Sequence, residues 1–234
     1  MFQKFLRWEE SKSVVLLTIC FIISRVIFRL AGVVFYGEFV RRLWQSIDIE
    51  LLKTSLLESL YYSHAQPPLF NLLTGIILKI FPDHYSLAFH VLFLMIGWFN
   101  VLLLYLTLRK FKIPVLISLL SAFVFMILPS VVLYENLYSY TYLNVFLLTV
   151  SIYLLLCFVE RQKMSLWLLF CFALCALVLV RSFYHVAWLI VIEGIVLVFI
   201  QKSKWSFHKL IVVSIIPILL VFGWMIKNFL LFES

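Results

Sequence analysis

Apolar runs of Leu, Ile, Val and Phe recur along the whole chain, and several reach the length a helix needs to cross a bilayer, about 20 residues. Inside hydrocarbon such a run has one open course, because each backbone polar group must find its partner within the helix. The apolar share is 65% and the charged share 13%, far from the even balance of soluble domains. In 234 residues that leaves room for spans and short loops and for no soluble domain. The expected fold class is all-α: a polytopic transmembrane helix bundle of about seven spans, forming a single module over 1–234. The expected spans are roughly 13–34, 86–108, 114–133, 141–159, 165–181, 184–200 and 209–228.

The net charge of +8 does not indicate nucleic acid in such a chain, since basic residues in loops set membrane orientation. The start, MFQKFLRWEESK, is a basic segment before a long apolar run with no small-residue cleavage site, as in a retained signal-anchor. Cys20, Cys157, Cys171 and Cys175 all fall inside apolar runs and read as small core residues. The chain has no Gly-rich phosphate loop, HExxH or GxSxG. No cofactor is expected; the outer-loop His and carboxylates leave a divalent metal open without any spacing that names one.

One run is too short. YYSHAQPPLFNLLTGIILKIFP, 61–82, holds about a dozen apolar residues behind a double proline. Loop charge decides its course. With the N-terminus inside and this run not crossing, the inside loops are RKFK, ERQK and QKSKWSFHK, all basic. The outside loops FPDHYS and LYENLYSYTY carry no Lys or Arg. A crossing here would invert that pattern. The segment therefore belongs to one large outer loop, about 35–85, which holds Arg41, Arg42, Lys53 and Lys79 against the rule. Basic residues outside suit an anionic ligand. In the same loop, 48–62 spaces Leu52, Leu56 and Leu60 as an amphipathic interfacial helix with Leu57 beside them, and a second helix follows from Pro68.

Ionisable groups at a membrane edge are costly and mark candidate sites. Arg25 and Arg29 share one helix face, fit to hold a phosphate or to snorkel to headgroups. Asp48 stands before the first interfacial helix, either as a proton acceptor for an incoming hydroxyl or as an N-cap. Glu50 suits the first-turn dipole or an exchange of roles with Asp48. His64, Gln66 and Arg181 lie on the same outer side as candidate substrate-binding residues, with Glu135 as a second carboxylate or a turn residue and Tyr138 as a substrate-binding residue or part of an aromatic belt. Glu193 lies in mid-span and calls for a partner.

The order of parts resembles the GT-C membrane glycosyltransferases of the family 39-like group: protein mannosyltransferases, aminoarabinose lipid A transferases and the bacterial RgtA/B/C/D-like enzymes. The residues carrying the likeness are Asp48, His64 and AQPPLFNLL with Pro67, Pro68 and Leu69; GWMIKNFLLF, 223–232, resembles the family's Trp-x-x-Arg-Asn element. The resemblance implies sugar transfer from a polyprenyl-phosphate donor to a glycan, lipid or protein acceptor hydroxyl at the outer face of a bacterial cytoplasmic membrane. It implies inversion, with Asp48 as base. Arg25, Arg29, Lys79 and Arg181 supply charge for the leaving phosphate. Gln66 stands where aminoarabinose transferases carry Lys, and Glu135 is the only acid of the second outer loop. Relatives continue beyond seven spans, so the C-terminal part of the family fold is expected to be missing. The alternatives are a non-enzymatic transporter or lipid-scaffolding subunit and an inactive truncated transferase.

In a background lacking the native cysteines, Cys placed at Ser63 and at Lys110 should react with an impermeant thiol reagent from opposite membrane faces; labelling from the same face would overturn the loop assignment.

Overall fold

Helices make up all the regular structure in the computed structural model, which describes residues 2–38, 40, 46–200 and 205–232, with backbone alone at 2–9. In chain order these are α1 (Phe2–Leu30), α2 (Ile49–Thr54), α3 (Leu56–Tyr62), α4 (Pro68–Ile80), α5 (Tyr85–Lys110), α6 (Val115–Ile127), α7 (Pro129–Glu135), α8 (Tyr140–Arg161), α9 (Met164–Val180), α10 (Val186–Phe199) and α11 (Phe207–Phe232). By length and composition four can cross a membrane: Glu10–Leu30 of α1, α5, α8 and α11. The bent pair α6–α7 passes the same test when taken together, as a broken span or a re-entrant loop. α4, α9 and α10 are apolar but only 13, 17 and 14 residues long. Arg41 and Arg42 lie outside the described residues.

Where the boundaries depart from expectation, backbone chemistry gives the reason. α1 stops at Leu30, short of 34, because Gly32 takes a left-handed φ of 92°. There Gly32 N–H bonds Arg29 O and Val33 N–H bonds Phe28 O, closing the helix in a Schellman turn. The expected single span 114–133 is two helices bent by 58°. Pro129 pushes Leu128 to an extended backbone (φ −56°, ψ 132°) that no α-helix tolerates. The interfacial helix expected over 48–62 breaks at Ser55 (φ −131°, ψ 51°). Leu52 and Leu56 remain buried while Leu57 turns outward, 79% exposed.

Three apolar clusters hold the bundle. Leu17 and Phe21 of α1 pack with Val101 and Tyr105 of α5 and Ala122 and Met126 of α6. The second cluster joins α8 to α11 around Trp167, whose indole N–H donates to Leu210 O and Ser214 Oγ at 3.1 Å each. Cys171 and Cys175 are buried in it, and Glu193 lies beside Cys171 and Ser214 with no basic partner among the described residues. The third cluster packs α2, α3 and α4 against the ends of α5 and α8 through Leu52, Phe70, Leu78, Phe89, Phe93 and Tyr138.

α4 opens with Pro68, where a missing N–H costs nothing. Its buried face carries two polar fasteners. Asn71 Oδ1 accepts from Ile47 N–H at 3.1 Å, and Thr74 Oγ1 shares a 2.6 Å hydrogen bond with Tyr138 Oη. The rings of Phe70 and Phe89 close on Tyr138 at 5.1 and 4.9 Å. Tyr138→Phe should therefore lower stability by about 1 kcal/mol, the net worth of one hydrogen bond, seen as a drop of a few degrees in a thermal melt in detergent. Tyr138→Ala should cost several times more by opening a cavity.

Candidate functional site

Near the C-terminal end of α1 and the N-terminal end of α5 the two helices part. The space between them is a groove of about 1070 Å³, backed by Val132 of α7 and by Asn136. Its depth is apolar, lined by Phe21, Ile22, Val91, Leu94 and Met95. At the bottom Trp98 Nε1 donates to Thr18 Oγ1 at 3.1 Å, tying α5 to α1. Its rim is polar: Arg29, Asp83, His84, His90 and Asn136. Ile22, Val26, Val91 and Met95 each stay about half exposed, so the groove opens sideways between the helices. A ligand with a hydrocarbon tail and an anionic head matches both halves.

The groove exists because α1 is held elsewhere. Arg25 bonds Glu135 through two nitrogens, Nη2 to Oε1 and Nε to Oε2, the latter at 2.7 Å. Arg25 Nη1 donates further to Met126 O at 3.0 Å and to Ser24 Oγ at 2.8 Å, and Phe21 lies 4.0 Å beneath the guanidinium. Glu135 is fully buried and also accepts from Tyr142 Oη at 2.9 Å. Gly97 of α5 makes the room: a Cβ there would lie 2.2 Å from Glu135 Oε1. Arg25, which also lines the groove, thus has four of its five N–H groups held by protein. Arg29, one turn outward, is exposed and has no acidic partner among the described residues. His90 lies within reach of Arg29 and Asn136 and stacks on Phe35 with centroids 5.2 Å apart.

The other expected site residues fall into two further groups. Asp48 is exposed and caps α2, its Oδ1 accepting from Glu50 N–H at 2.8 Å and Leu51 N–H at 3.4 Å. Glu50 is exposed in the first turn, 3.5 Å from Lys53. Neither Asp48 nor Glu50 lines the groove. The second group gathers at the start of α4. Gln66 accepts from Ser182 Oγ at 3.3 Å, beside Arg181, whose guanidinium lies 4.2 Å over Tyr140. His64 packs against Phe232 at 4.4 Å. Lys227 Nζ donates to Tyr61 O and Ser63 O at 2.8 Å each, fastening α11 to the end of α3. Lys79 is exposed on α4.

Tyr138 has no exposed surface, and burial pushes its hydroxyl up to about 12, so it stays neutral and serves packing. Among the described residues no three His, Cys, Asp or Glu side chains converge as a metal-ligand set would.

Asp83, His84 and His90 escaped sequence reasoning. FPDHYS reads as an ordinary turn, and the one signal was a histidine inside the apolar run YSLAFHVLFL. Lys227 gave a signal only through the GWMIKNFLLF element. No family model, curated protein or solved structure matches the chain.

Glu135→Leu should strand the Arg25 cation and destabilise the protein by roughly 3 kcal/mol, whereas Arg25→Met combined with Glu135→Leu should recover most of that loss. Thermal melts of the two variants check it; equal losses would show that the pair does not hold α1.

Proposed function

We propose that this chain is a multi-pass membrane transferase that holds a polyprenyl-phosphate-linked sugar in the groove between α1 and α5 and passes the sugar to an acceptor hydroxyl at the extracytoplasmic face. The carrying observation is the groove itself, a hydrocarbon-lined slot open to the side, with an arginine at its rim that has no ion pair among the described residues. A polyprenyl tail needs the slot, and a phosphodiester needs the cation. The resemblance set out above, carried by Asp48, His64 and AQPPLFNLL, supplies the reaction class.

In this reading α9 and α10 complete about seven crossings, the N-terminus is cytoplasmic, and α2 to α4 lie on the outer leaflet. The contacts of α4 support that placement. It begins beside the turn after α9, through Gln66 and Ser182. It ends at the turn that opens α5, and its middle bonds Tyr138 ahead of α8. In an alternating bundle these three turns share one side.

The chemistry balances as a single displacement. An acceptor O–H gives its proton to a carboxylate, the oxygen bonds the anomeric carbon with inversion, and the bond from that carbon to the phosphate oxygen breaks. The lipid phosphate leaves beside Arg29. The resemblance gives the base as Asp48, whose two helix N–H bonds both fall on Oδ1 and leave Oδ2 open to a proton. Its place outside the groove favours a second reading, a non-enzymatic protein that binds a lipid phosphate.

Transfer assays with Asp48→Asn in nanodiscs separate the readings. Loss of at least a hundredfold in kcat with unchanged lipid binding supports Asp48 as base. Full activity passes the role to a rim carboxylate. No transfer from any lipid-linked sugar, with a lipid phosphate co-purifying in mass spectra, leaves the binding protein.

A further inference from the structure

The rim of the groove carries two opposite charges. Arg29 and Asp83 line the same space, one from the end of α1 and one from the turn before α5. Both are exposed, and neither is spent on an ion pair among the described residues. For a simple anion site the carboxylate is a defect, because a phosphate held by Arg29 would feel its repulsion. For a sugar joined to a phosphate it is an asset. An ionised carboxylate only accepts hydrogen bonds, and a sugar presents a row of hydroxyl donors. His84 and Asn136 on the same rim add donors and acceptors. From this placement we infer that Asp83 selects the sugar-bearing lipid over the bare lipid phosphate, with Arg29 binding the phosphate of both. The inference rests on the groove as donor site and adds what the rim reads.

The charges of the two lipids sharpen the choice. The phosphodiester of a glycosylated lipid carries one negative charge, and its sugar stands between phosphate and water. After transfer the lipid keeps a phosphomonoester of charge about −1.5 to −2 at pH 7. The extra charge meets Asp83 with no hydroxyls to offset it. Asp83 therefore favours the donor and expels the product, which a purely cationic rim would retain.

The test measures binding to the full chain in neutral phosphatidylcholine nanodiscs. The probes are one short polyprenyl phosphate and the same lipid bearing glucose, mannose, galactose or arabinose. The wild type should bind at least one glycosylated lipid about fivefold or more tighter than the bare phosphate. Asp83→Asn should abolish that preference, weakening the glycosylated lipid and leaving the bare phosphate equal or tighter. Arg29→Gln should weaken both alike. Glu38→Gln serves as the control, since Glu38 is exposed two residues beyond Tyr36, whose N–H bonds Asn136 O. A preference that survives Asp83→Asn, vanishes in Glu38→Gln or is absent from the wild type overturns the inference while the lipid-phosphate groove stands. Failure of the wild type to bind any of the lipids overturns the groove as donor site as well.

Discussion

A carboxylate with no exposure, Glu135, is tolerable only because Arg25 meets it with two nitrogens, and the end of the bundle that carries α7 and the groove is arranged around that meeting. Unpaired, such a group would cost several kcal/mol. The pair fixes how far α1 stands from α7. Gly97 on α5 leaves a notch for the carboxylate, and Tyr142 on α8 adds a third donor. Four helices are thus registered at one point, and α1 is drawn toward α6 and α7. What remains between α1 and α5 is the groove.

The same pair explains why two arginines on one helix face behave differently. Spacing of four put Arg25 and Arg29 on one face, and that much was legible in the sequence. Their depth was not. Arg25 lies one turn lower, where four of its five N–H groups end on protein: two on Glu135 and one each on Ser24 Oγ and Met126 O. Arg29 reaches the level where the helices diverge. A spacing argument gives a shared face, while the partner sits over a hundred residues away and comes only with the fold.

Other parts divide along the same line. The all-helical class, the short helix starting at Pro68 and most helix ends followed from local chemistry, because apolar length, proline and turn residues act within a few positions. Two breaks, at Ser55 and before Pro129, were missed by treating continuous apolar spacing as continuous helix. Asp48 is a helix cap, one of the two roles its position allowed. The rim of Asp83, His84 and His90 could not be read ahead. A turn reading FPDHYS becomes a site only when α1 ends opposite it, and nothing local encodes that opposition. Four or five helices satisfy the length rule for crossing, and α9 and α10, at 17 and 14 residues, fall short of it.

A causal order runs through this end of the bundle, and it begins at Pro129. Without an N–H, and with Leu128 forced to extended backbone, the helix that began at Val115 turns by 58°. A straight continuation would have carried Glu135 farther along the α6 axis. The bend lays α7 across the bundle instead. There Glu135 reaches Arg25, Val132 and Asn136 become the back wall of the groove, and Asn136 O accepts the N–H of Tyr36. That last bond also holds the chain leaving α1 against the turn that opens α8. One residue that cannot donate a hydrogen bond therefore places the buried carboxylate, the groove wall and the extended segment that follows α1. The polar rim, with Arg29 and Asp83 on it, is the surface those three leave uncovered.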